Sequence, residues 1–242
     1  MKLNAITLTL ISLGLFLISC DVYDEHVRPS DEITVRNEDF QDYDMIEASH
    51  AFMVYVNFSD SEESIEIEAN DNLHQYIEVK KENNTLHIGL RNNVSVRGSA
   101  TLRAYVTTKH VSAYSGSGAS RFIIESPLSS DDVNVYLSGA STFNGDVHSN
   151  QLYVDLSGAS VMNISGATDI FEIEASGASV FKDYGFEAND LDANISGASN
   201  VSLTVDNEIT VEASGASSLK YKGTAVVKSQ NVSGASTVRK VN

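Results

Sequence analysis

The side chains that could do chemistry recur on a rhythm. Tyr136, Asp155, Glu174, Asn194 and Glu212 each stand two residues before a Ser-Gly-Ala-Ser motif, and Asn134, Tyr153, Glu172, Asp192 and Thr210 stand four before it. If equivalent positions stack in register, Asp155 lies beside Glu174 and Glu172 beside Asp192, about 4.8 Å apart. Like charges facing each other on a sheet are destabilising, by roughly 0.2–1 kcal/mol. A bound Ca²⁺, which takes carboxylate oxygens, would relieve that repulsion. Tyr136 and Tyr153, exposed on a flat face, could instead stack against sugar rings. A solvated acidic face that keeps the protein soluble is the plainer reading and the favoured one.

Other chemistry is sparse. The six histidines, His26, His50, His74, His87, His110 and His148, do not pair with one another or with cysteine at a metal-ligand spacing, so no metal site is assigned. Ser-Gly-Ala-Ser superficially resembles a nucleophile motif, but G-x-S-x-G is absent, and a catalytic serine repeated seven times has no use. The motif is read as a turn. No catalytic residue is assigned.

Composition removes further classes. The chain has 242 residues with 16 Lys+Arg against 33 Asp+Glu, a formal net charge of −17. Nucleic-acid binding requires clustered cations against phosphates, so it is excluded as a partner class. A single cysteine excludes an intrachain disulfide and any multi-cysteine metal cluster. A hydrophobic content of 42% is enough for a core.

The elements that would position these residues begin after an address. Met1-Lys2 and the apolar run from Ala5 to Ile18 read as a signal peptide over residues 1–19, too short for a comfortable span of the bilayer. Leu17-Ile18-Ser19-Cys20 resembles the lipobox of bacterial lipoproteins. The resemblance implies cleavage after Ser19, lipidation of Cys20 and membrane attachment through that lipid. Residues 20–37 lack a sustained period and read as the lipidated cysteine followed by an acidic tether.

From there the repeat decides the fold. Ser-Gly-Ala-Ser starts at Ser117, Ser138, Ser157, Ser176, Ser196, Ser214 and Ser233, at intervals of 18 to 21 residues that average about 19. Before the motifs stand Val133, Val135, Leu137; Leu152, Val154, Leu156; and Phe171, Ile173, Ala175, alternating with polar residues or tyrosine. The later coils repeat the pattern. Period two is a strand with one buried face, and the apolar residue five beyond each motif's first serine (Phe122, Phe143, Met162, Phe181) marks a second inward segment. The expected fold is therefore all-β: a parallel β-solenoid with coils of about 19 residues and Ser-Gly-Ala-Ser corners. Gly118, Gly139, Gly158, Gly177, Gly197, Gly215 and Gly234 take the positive φ of the bends. Residues 38–115 show alternation without the motif and read as irregular coils forming an N-terminal cap, continuous with the regular solenoid of 116–242 in one domain. Lys228 and Gln230 stand where the last coil should be apolar, which blunts its edge.

A lipobox, alternating strands and then L-x-V-x-L-S-G-A-S coils together resemble the head GIN domain family of putative auto-transporter adhesins, over residues 38–242. The resemblance implies a β-solenoid of pectin-lyase-like shape in an envelope lipoprotein with an adhesive role and no established catalytic residues. The expected function is a non-catalytic, adhesin-like module, lipid-anchored at the outer membrane with its leaflet unassigned, presenting a repetitive sheet to glycan or protein. Two alternatives stand beside it. One is a Ca²⁺-assisted polysaccharide lyase, since pectate-lyase-like enzymes use acidic β-helix faces; it needs a base, and the nearest cations, Lys182 and Lys220, lie beyond the corner. The other is a structural component that self-assembles through sheet faces or end coils.

Overall fold

The computed structural model describes residues 25–242; the signal segment 1–19 and the lipidation site Cys20 lie outside the described residues. Alternation produces strands throughout. The first nine are β1 (Glu25–Val27), β2 (Ile33–Glu38), β3 (Met45–Ala48), β4 (Met53–Phe58), β5 (Ser64–Asn70), β6 (Ile77–Glu82), β7 (Thr85–Leu90), β8 (Val94–Val96) and β9 (Leu102–Thr108). Then come β10 (Ala113–Gly116), β11 (Arg121–Ile124), β12 (Leu128–Leu137), β13 (Thr142–Leu156), β14 (Val161–Ala175), β15 (Val180–Ile195) and β16 (Asn200–Ala213). The chain closes with β17 (Ser218–Lys222), β18 (Val226–Val232) and β19 (Thr237–Lys240). A 3₁₀ turn at Asp71–Leu73 is the sole helical element described.

The repeat becomes a parallel β-solenoid. Each of β13 to β16 runs almost from one corner to the next, bending as it goes, so one coil is one corner plus one long strand. Leu137, Leu156, Ala175, Ile195, Ala213 and Val232 stand in register, one per level. Where the corner interval lengthens from 19 to 20 residues and then drops to 18, the pairing of β15 with β14 and with β16 shifts register. One irregularity sits at Asp183-Tyr184-Gly185, where the Asp183 carboxylate accepts the Gly185 N–H at 2.7 Å, and a second lies between Ala188 and Asp190. The inward columns merge into one core, with Tyr114, Phe122 and Phe143 packed near its start and Phe171, Phe181 and Phe186 further along.

The corners stack because they are small. The seven motif glycines have φ between 59° and 77°. From Ala159 upward, each motif alanine donates its N–H to the glycine carbonyl one level below at 2.7 Å. The motif's last serine is buried in the first six corners, and in the corners from Ser117 to Ser176 its hydroxyl donates to the carbonyl of the first serine.

The solenoid extends further toward the N-terminus than the motif does. β3 and β4 lie parallel on β10 and β11, and Ser49-His50-Ala51-Phe52 makes the corner between them. β7 and β9 form the level below. Direction then reverses: β6 is antiparallel to β7, β5 to β9 and β2 to β5, which leaves β2 and β6 as the outermost strands at that end.

One expectation is overturned. Residues 25–27 and 33–37, read as part of a tether, lie in strands: β1 pairs with β8, and all six residues of β2 pair with β5. The side chains of Asn70 and Asn72 bind the carbonyls of Ser30 and Arg28, which fastens the link between the two strands. The segment misleads because its alternation is inverted. Ile33 and Val35 face water at 48% and 58% exposure, while Thr34, Arg36 and Glu38 turn toward the cap.

Candidate functional site

One sheet of the solenoid, from β18 through β16, β15, β14, β13, β12 and β10 to β3 and β7, presents the outward residues singled out above. Register sets Tyr136, Asp155, Glu174, Asn194 and Glu212 in one column, and Asn134, Tyr153, Glu172, Asp192 and Thr210 in the next. Asp155 thus lies beside Glu174, and Glu172 beside Asp192. Tyr136 and Tyr153 meet diagonally, ring centroids 5.7 Å apart and tilted by 50°. They form an aromatic shelf at the start of an acidic strip. Partial burial and the neighbouring Glu174 push the Asp155 carboxyl above its ordinary range. Burial, followed by the charges of Glu174 and Asp155, raises the Tyr153 phenol as well.

Two depressions flank the shelf. A small one of about 90 Å³ touches Tyr136, Ser138, Asp155 and Ser157. A larger one of about 360 Å³ touches Asn134, Gln151, Tyr153, Ile170 and Glu172. It shares Asp132 with a groove of about 910 Å³ that crosses the levels where the strands bend into this sheet. His110, Ser130, Asp131, His148, Asn150 and Asp169 are among its lining. Its rungs are tied to each other: Asn150 donates to Asp131 at 2.9 Å, Asn189 to Asp169 at 2.8 Å, and Ser149 to Thr168 at 3.0 Å.

The groove is the part that sequence reasoning missed. Its signal was present, since Asp131, Asn150, Asp169 and Asn189 each stand seven residues before a Ser-Gly-Ala-Ser. A column of Asp and Asn reads as a turn until stacking shows that the turns line a concave surface.

Neither metal chemistry nor lyase chemistry gains support from the geometry. Among the described residues, no group of three or more His, Cys, Asp or Glu side chains is arranged to hold a metal ion. Lys182 and Lys220 belong to the second sheet, in a column with Ser202 and Arg239, around the corner from Asp155 and Glu174.

With the geometry in place, comparison with known proteins gives a consistent result. A family profile described as "Putative auto-transporter adhesin, head GIN domain" matches residues 42–225. A structure described as a putative adhesin from Bacteroides fragilis superposes with a TM-score of 0.83 at 21% identity, over 89% of this chain and 100% of that one. One described as a putative lipid binding protein from Parabacteroides distasonis superposes with a TM-score of 0.75 at 17% identity, over 90% and 100%. A third, described as a putative adhesin from Parabacteroides merdae, gives 0.68 at 19% identity, over 90% and 99%. At these identities the likeness is one of fold. A search of curated proteins finds no match.

Proposed function

The chain belongs to the head GIN domain family of putative auto-transporter adhesins, and from that membership we propose a non-catalytic, adhesin-like module of the cell envelope that binds a glycan. The observation that carries the ligand class is the Tyr136–Tyr153 shelf, whose Tyr153 lines a depression that shares Asp132 with a groove of hydroxyl, amide and carboxylate groups. Tyrosine rings offer apolar faces to sugar rings, and the groove supplies donors and acceptors at one rung per coil. The surrounding carboxylates repel uronate chains and suit uncharged or amino-bearing sugars. Envelope attachment rests on lipidation of Cys20 and an outer-membrane address.

The test is a glycan array probed with the chain from Asp21, with and without calcium. Tyr136→Ala combined with Tyr153→Ala should weaken binding about tenfold or more, equivalent to about 1.4 kcal/mol. Unchanged affinity in that double variant, with the β signature intact by circular dichroism, removes the shelf from the ligand site. Release of oligosaccharide products that stops in Asp155→Ala would replace the binding reading with the enzymatic one.

A further inference from the structure

The two ends of the solenoid differ in charge. Residues 213–242 carry five cations, Lys220, Lys222, Lys228, Arg239 and Lys240, and no Asp or Glu. Residues 31–71 carry thirteen acidic side chains and one cation, Arg36. Four of the five cations lie on β17 and β19, which end the second sheet. The acidic segment supplies β5 and β2, which end the same sheet at the other extreme, reached through β11, β4 and β9. Lys220 and Arg239 stand in register as neighbours, a repulsive pairing, and neither forms an ion pair with a described residue.

Both ends are also unfinished as sheets. Among the described residues, β18 and β19 pair on one side only, as do β2 and β6. The inward columns stop at Val227 and Val238, which are only partly buried. Exposed large apolar side chains concentrate here: Val226 at 70% and Val232 at 36% at one end, Ile33 and Val35 at the other. Strand direction fits as well. β2 is antiparallel to β5, which is antiparallel to β9, so β2 runs the same way as β19.

From these features we infer that the basic closing coil docks onto the acidic starting cap of a second copy of this chain, head to tail, with β19 alongside β2. The inference stands apart from the glycan reading and uses different residues. Lysines on a free edge deter like edges from pairing. Tail-to-tail contact would oppose five cations to five, whereas head-to-tail contact matches cations to carboxylates. Such a contact is heterologous and does not close, so the product is an open series of oligomers.

The experiment is sedimentation of the chain from Asp21, which retains every described strand. At about 20 mM salt it should show species larger than dimer that grow with protein concentration, and at about 500 mM salt a monomer. Two charge-swapped variants sharpen the test: Lys220→Glu with Arg239→Glu at the tail, and Glu62→Lys with Glu66→Lys at the head. Each alone should sediment as a monomer, and an equimolar mixture should associate again. A wild-type chain that stays monomeric at every concentration overturns the inference. So does a closed dimer indifferent to salt, or assembly that persists in either variant alone.

Discussion

At the corner beginning with Ser49 the backbone turns through His50 and Ala51, at φ 57° and 62°; at the corner beginning with Ser176 it turns through Gly177 at 73°, with the following alanine out of the left-handed region. The first pattern is that of a type I′ turn and the second that of a type II′ turn. Ser117 opens a corner of the first kind, since Gly118 and Ala119 both have positive φ. Positive φ alone therefore does not account for glycine's recurrence in the regular coils. The II′ conformation favours it there, and stacking adds a second demand. A Cβ at Gly177 would lie 2.4 Å from the Gly158 carbonyl oxygen, and at Gly197 2.4 Å from that of Gly177. At Gly118 the nearest atom would be the His50 nitrogen at 3.2 Å. The cap tolerates side chains at its corner because the level beneath is irregular; the regular stack leaves no such room.

This contrast predicts a large and a small effect from the same substitution. Gly177→Ala combines left-handed strain with a clash against backbone and should cost about 2–4 kcal/mol. Gly118→Ala meets mainly the strain, about 1 kcal/mol. Urea midpoints of the two variants, at unchanged slope, measure the difference. Equal losses would mean that φ alone selects glycine and that the close approach between levels is not limiting.

A finer version of the comparison concerns the fourth corner position. The cap fills it with the buried ring of Phe52; all coils but the last fill it with a buried serine. Ser179 donates to the Ser176 carbonyl at 2.8 Å, whereas the hydroxyl of Ser199 is buried without a partner. Ser179→Ala should cost about 1 kcal/mol. Ser199→Ala removes an unsatisfied hydroxyl and should be neutral or stabilising. Matching losses in thermal unfolding at both sites would show that the hydroxyl serves packing rather than hydrogen bonding.

The same contrast explains what could be read without a structure. Residues 116–242 announced a parallel β-solenoid because two inward sites and a corner recur together, and family and neighbours agree with that fold. Stacking at a fixed register also set Asp155 beside Glu174 and Glu172 beside Asp192, and the strand pairing agrees. Three things stayed hidden. The Ser49 corner has no motif glycine to betray it, β2 shows water its apolar side, and the groove depends on the concavity of bends that alternation does not encode.

Charge on the outer faces differs between cap and coils as well, and here pH supplies the readout. In the cap, two acids are paired with cations: Glu68 with Arg103 at 2.9 Å and Glu82 with Lys80 at 2.8 Å. On the coils Asp155 faces Glu174, and its carboxyl is raised by burial first and by Glu174 second. A carboxyl raised in the folded state penalises folding at pH values above its folded pKa. That penalty is relieved as pH falls through the raised value, and it is absent below the ordinary 3.8. Asp155→Asn should therefore stabilise the protein at pH 7 by roughly 0.2–1 kcal/mol, with the gain fading toward pH 4 and vanishing below it. Glu82→Gln should behave with the opposite sign. The Glu82 carboxyl is lowered by its hydrogen bond to Lys80, so wild type holds the advantage at neutral pH and loses it as acid protonates the group. Chemical denaturation of both variants between pH 3 and 8 tests the pair. An Asp155→Asn curve parallel to wild type across that range would show that the coils' acidic column is already fully screened by water.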